Sequence, residues 1–83
     1  MNSFHRMHRY QILIEGVALK LDDERLAGWS ADYTEEGNTL LSADAADSAA
    51  LYGALAALRD GGFVLLDIHR AHTRLNRVEE REK

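Results

Sequence analysis

The sequence predicts an α+β domain in which a four-stranded antiparallel sheet carries its helices on one face. Three observations predict it. Residues 44–68 read as a helix, a glycine stop and a buried strand. Residues 10–19 and 29–42 carry strand-like patterns, and the second stretch is broken by a Glu-Glu-Gly-Asn turn. Between those stretches, residues 22–28 carry acids at the start and a glycine at the end, the marks of a very short helix. The order of elements is βαββαβ. Right-handed crossovers then place the fourth strand beside the first and the third on its other side, giving the order 4-1-3-2 of a ferredoxin-like sheet.

Residues 1–9 show no periodicity and are expected to be a flexible arm. The first strand begins at Tyr10, with Tyr10, Ile12 and Ile14 on one side and Gln11, Leu13, Glu15 and Val17 on the other. Neither set is cleanly polar, so both faces are expected to be partly covered. The short helix has too few apolar residues for more than one or two turns. Residues 29–34 alternate again, with Trp29, Ala31 and Tyr33 on one face. Gly37 and Asn38 can supply positive φ for the hairpin, and 39–42 is the return strand.

Asp44 is expected to cap the long helix, with Asp47 adding negative charge to its first turn. Leu51, Leu55 and Leu58, with Ala54 between them, make its apolar face. A second stripe holds only small residues: Ala46, Ala49, Ala50, Gly53, Ala56 and Ala57. It is either a surface of modest polarity or a place of close approach. Gly61 or Gly62 ends the helix. In strand four, Val64, Leu66 and Ile68 are expected to face the helix, leaving Phe63 and Leu65 on the open face. Residues 70–83 form a charged, partly helical tail, with Ala71, Leu75 and Val78 at helical spacing. The compact domain is therefore 10–69.

Residues 49–68, AALYGALAALRDGGFVLLDI, resemble the C-terminal half of a group of short, uncharacterised bacterial proteins. In those, an A-A-L-H-G-type helix and an L-R-D-L-G-type stop lead into a final apolar strand. Tyr52 stands here where they often carry His, and Gly62 where they often carry Leu. The resemblance implies a ferredoxin-like fold and carries no activity or catalytic residue.

Composition bounds the function. With 83 residues, 46% hydrophobic and 29% charged, the chain suits one soluble domain. A chain this short buries only about 60–65% of its unfolded surface, so self-association would help it. It has no cysteine, which removes disulfides and thiolate metal sites. No apolar run reaches membrane-spanning length and no signal peptide is visible, so a cytoplasmic location is expected. The net charge of −4 argues against nucleic acid as a partner.

Motifs for chemistry are sparse. No glycine loop opens a helix to cradle phosphate, and no Ser–His–Asp order stands out. The paired acids Asp22-Asp23 and Glu35-Glu36 lie in turns and read as solvated charge. All four histidines, however, fall in two copies of one pattern, His5-Arg6-Met7-His8 and His69-Arg70-Ala71-His72. Antiparallel neighbours would bring both copies to one corner, where four imidazoles could hold a divalent metal such as zinc. Arg6, Arg9, Arg70 and Arg74 gather there too and suit an anion or an acidic partner.

The expected function is a small, non-catalytic binding or regulatory module that works as a homodimer without a cofactor. Leu13, Phe63 and Leu65 would form the interface on the helix-free sheet face. The alternative is a metal- or small-molecule-binding protein, including a minor enzyme, that uses the histidine corner or that open face.

Overall fold

A computed structural model of the protein describes residues 7–72. In chain order it holds β1 (His8–Ile14), a single turn of 3₁₀ helix (Glu24–Leu26), β2 (Ser30–Tyr33), β3 (Thr39–Ala45), α1 (Ala49–Asp60) and β4 (Leu65–His72). The four strands form one antiparallel sheet in the order β2-β3-β1-β4, which reads 4-1-3-2 from the β4 edge. Among the described residues no helix is long and apolar enough to cross a membrane.

Alternation in β1 sets the two faces. Tyr10, Ile12 and Ile14 are buried, while Gln11 and Leu13 are half-buried on the other side. Residues directly opposite one another in an antiparallel pair share a face. Ile12 lies opposite Leu41 of β3 and Ile68 of β4, and Leu41 lies opposite Ala31 of β2. This row faces α1, which contributes Ala54, Ala57 and Leu58 to the core; Leu26 and Ala18 close it from the β1–β2 connection. Leu51 and Leu55 pack against that core half-buried, so the expected leucine face is present. Its deepest part is Ala54, 0% exposed, flanked by Leu58 and Ala57 at 3% and 4%. Of the small-residue stripe, Ala46, Ala49 and Ala50 are exposed.

The long connection after β1 is held by two side chains at the start of β3. The Thr39 hydroxyl donates to the Gly16 carbonyl at 2.7 Å and accepts from the Ala18 N–H at 2.9 Å. Asn38 accepts from the Gly16 N–H at 3.0 Å. The hairpin between β2 and β3 closes as expected: Gly37 takes φ +86, and its N–H donates to the Thr34 carbonyl at 3.0 Å.

Four boundaries depart from the sequence reading. The short helix is one 3₁₀ turn, capped where Asp23 accepts the Arg25 N–H at 2.9 Å. Asp44 is not the cap of α1. It lies in β3, which runs on to Ala45 because those residues pair with β1. The first helical N–H, that of Ala49, is instead accepted by Asp47 at 3.0 Å. Finally, β1 starts at His8 and β4 runs to His72, since these two residues are register partners. Residues 8–9 are therefore strand rather than arm, and 70–72 are strand rather than tail.

Candidate functional site

Three places were marked by the sequence or by the fold: a cleft beside the 3₁₀ turn, the histidine corner, and the β4 edge with its neighbouring faces. The cleft encloses about 280 Å³ between residues 20–26 and the C-terminal end of α1. Leu21, Leu26, Ala57 and Phe63 give it an apolar wall, and Lys20, Asp22, Asp23 and Asp60 give it a charged rim. Arg25 ties the rim together. Its guanidinium donates to Asp23 at 2.9 and 2.7 Å and to Asp60 at 3.1 Å, and Asp60 also accepts from Arg59 at 3.3 Å. Hydrogen bonds from Arg25 hold the Asp23 carboxyl down to about 2, and they lower Asp60 as well, with help from Arg59. Both acids are therefore charged, and both are occupied by arginine. At Gly61 an added Cβ would meet a Phe63 ring carbon at 2.9 Å, so this glycine lets the aromatic ring fold down over the cleft.

At the histidine corner the backbone meets the expectation only in part. His8 and His72 are opposite one another in the β1–β4 ladder. His69 lies opposite Gln11, three residues along, and so belongs to the other face of the sheet. His8 shares the helix side with Tyr10, its ring centroid 6.3 Å from the Tyr10 ring. His5 lies outside the described residues. Among the described residues no group of three or more His, Asp or Glu is placed to hold a metal ion. The arginines divide likewise. Arg9 is on the helix-free face, paired with Asp44 at 3.3 Å, whereas Arg70 is opposite Tyr10 on the helix side. Arg6 and Arg74 lie outside the described residues.

The helix-free face is more polar than expected. Across it run two rows: Ser30, Ser42, Gln11 and His69, then Asp32, Leu40, Leu13 and Asp67. Leu13 and Leu40 are the apolar centre, each half-buried, between two exposed acids. Phe63 and Leu65 do not join them. Phe63 packs against the core. Leu65 lies opposite Ile14 because the register shifts between Leu13 and Ile14, one extra β4 residue being accommodated there. That bulge moves Leu65 to the helix side. Leu13 is therefore on the opposite side of the sheet from Leu65, and Phe63 is packed against the core. Trp29 packs against the core, and Tyr33 donates its hydroxyl to the Ala18 carbonyl at 3.2 Å.

What the sequence reading missed is the exposure of β4 itself. Val64, Leu65, Leu66 and Ile68 are 54%, 44%, 47% and 42% exposed. The apolar run itself is legible in the sequence; which of its residues a helix covers is not. A single helix about 10–12 Å across spans only two or three strands spaced about 4.8 Å apart. With the first helix reduced to a turn, the fourth strand goes uncovered.

A family model described as a domain of unknown function (DUF8691) matches residues 9–69. The chain belongs to this family. The matched span runs from β1 into β4 and includes the cleft, the bulge and His69. The resemblance seen over residues 49–68 lies wholly inside it. No curated protein and no solved structure matches the chain.

Proposed function

We propose that the protein is a small, non-catalytic cytoplasmic module for binding or regulation, that it acts as a homodimer, and that β4 is the surface on which it associates. The observation that carries this reading is the run of exposed apolar side chains on β4, Leu65, Leu66 and Ile68, with Val64 just before them. They continue the row of the core out to an edge: Ala31, Leu41 and Ile12 are covered, and Ile68, next in line, is not. A ferredoxin-like reading of the domain explains why. Such a sheet has room for two helices, and here one of them is a single 3₁₀ turn. A contiguous exposed apolar patch is the usual mark of an interaction surface, and a two-fold pair of identical copies is the commonest way to cover one.

The test is the mass in solution. Light scattering at tens of micromolar should give twice the 9.3 kDa chain mass. Leu66→Glu should lower it towards the monomer, or unfold a chain that needs its partner. A wild-type mass of one chain would end this reading. Weight would then move to the cleft as a small-molecule site. That second reading is favoured by its mixed apolar and charged lining, though its volume falls just below the range of about 300–1,000 Å³ usual for ligand pockets.

A further inference from the structure

The β4 edge carries a pattern of charge that specifies how a second copy would meet it. Among the described residues β4 pairs only with β1, and its far side ends the sheet. It runs for eight residues without lysine or proline, two of the devices that keep strand edges apart. Its sequence, Leu-Leu-Asp-Ile-His-Arg-Ala-His, instead sets an acid and a base at equal distances from Ile68.

Two identical strands meeting side by side and antiparallel are related by a two-fold axis perpendicular to the sheet. Residues directly opposite then lie on the same face, so the axis must pass through a residue position. Six centres fall in the regular part of β4, Asp67 to His72. Centring on Asp67 sets Asp67 against its own copy. Centring on His69 or on Arg70 does the same with two imidazoles or two guanidinium groups. Centring on Ala71 sets Arg70 against His72, base against base, and centring on His72 sets that residue against its own copy. Like charges directly opposite are destabilising. Centring on Ile68 alone sets Ile68 against Ile68, Asp67 against His69, and Leu66 against Arg70.

We infer that two copies join edge to edge through β4, antiparallel about Ile68, so that Asp67 of each chain faces the partner's His69 across an eight-stranded sheet. The inference rests on the homodimer reading above and supplies its geometry. On the helix side the two exposed Ile68 side chains meet and join the core rows of both copies, Leu41–Ile12–Ile68 continuing into its own repeat. The Arg70 stem lies along the exposed Leu66 of the other chain, apolar against apolar, its head free to reach water. On the helix-free side the two Asp67–His69 pairs close the joint. The groups facing them from β1 do not compete for that charge. Gln11 is opposite His69, Leu13 is opposite Asp67, and Arg9, nearer the strand end, is engaged by Asp44 at 3.3 Å.

The test exchanges the two charges between chains. Asp67→Lys alone sets a base against His69 twice, and His69→Glu alone sets an acid against Asp67 twice. At pH 6 each single variant should self-associate roughly tenfold more weakly than wild type. Mixed in equal amounts, the two variants should form a heterodimer of near wild-type strength. Each mixed joint then holds one Lys–Glu pair and one Asp–His pair. Sedimentation velocity reads wild type, the two single variants and their mixture, and thermal melts followed by Trp29 emission confirm that each variant is folded. Recovery in the mixture supports the β4 joint in this register. Singles that dimerise like wild type, or a mixture that stays as weak as its components, overturn the register while leaving the homodimer standing. A wild type that is monomeric at 100 µM overturns both.

Discussion

Thr39 shows how one side chain can hold a long connection. Its hydroxyl is wholly buried and makes two hydrogen bonds, donating to Gly16 and accepting from Ala18. Thr39→Val keeps the shape and removes both, leaving a buried N–H and a carbonyl to find new partners. The expected cost is about 1–3 kcal/mol in urea unfolding, and Thr39→Ser should recover most of it. If Val and Ser behave alike, the hydroxyl does not anchor the loop. Arg25 gives a second residue-scale prediction, this one dependent on pH. It depresses the Asp23 carboxyl from 3.8 to about 2 and lowers Asp60 as well. A depressed acid adds stability that is present above its unfolded value and is lost as pH falls through its folded one. Arg25→Met should therefore lower the melting temperature at pH 6, by a small amount because these groups are exposed. Between about pH 4 and pH 2 the gap should close. A gap that does not depend on pH would mean that Arg25 contributes through packing.

At the scale of elements, α1 contributes Ala54, Ala57 and Leu58 to the core. Leu58 is 3% exposed against the sheet, and Leu58→Ala should cost about 2–5 kcal/mol. Leu51→Ala should cost less, since Leu51 is half-buried. Equal losses would mean that the helix is rotated from the orientation described. Gly61→Ala should also destabilise, by about 1–3 kcal/mol, because the new methyl would press on the Phe63 ring. Much of this was legible in the sequence: the leucine spacing gave the buried face, and the glycine pair gave the stop, with Gly62 at φ +80. The cap was misplaced for a physical reason. Asp44 is a good cap in isolation, and only pairing of 43–45 with β1 keeps it in the strand; the N-cap is Ser48, whose side chain makes no cap bond, and Asp47 just before it accepts the Ala49 N–H. The bulge in β4 was invisible too. Strict alternation in 63–68 sends Leu65 to the open face, and one extra residue in the ladder brings it back.

For the whole molecule, the sheet is wider than its cover. β1 and β3 share their core with α1, β2 is short, and β4 is long, with Leu65, Leu66 and Ile68 exposed and nothing described beyond it. Composition could say only that a thin core would gain from self-association. It could not say where, because the site depends on which helix is reduced to a turn. The histidines illustrate the same limit. Their repeated pattern placed His8 and His72 in register, but the alternation of a strand puts His69 on the opposite face from His8. The central claim is that the outer edge of β4 is covered by a second copy. Amide hydrogen exchange tests it most directly, with β2 as an internal control because it is the sheet's other edge. The account predicts that the β4 amides pointing away from β1 become more protected as protein concentration rises through the dimerisation range, while those on the outer side of β2 do not change. Equal and concentration-independent exchange at the two edges would contradict it.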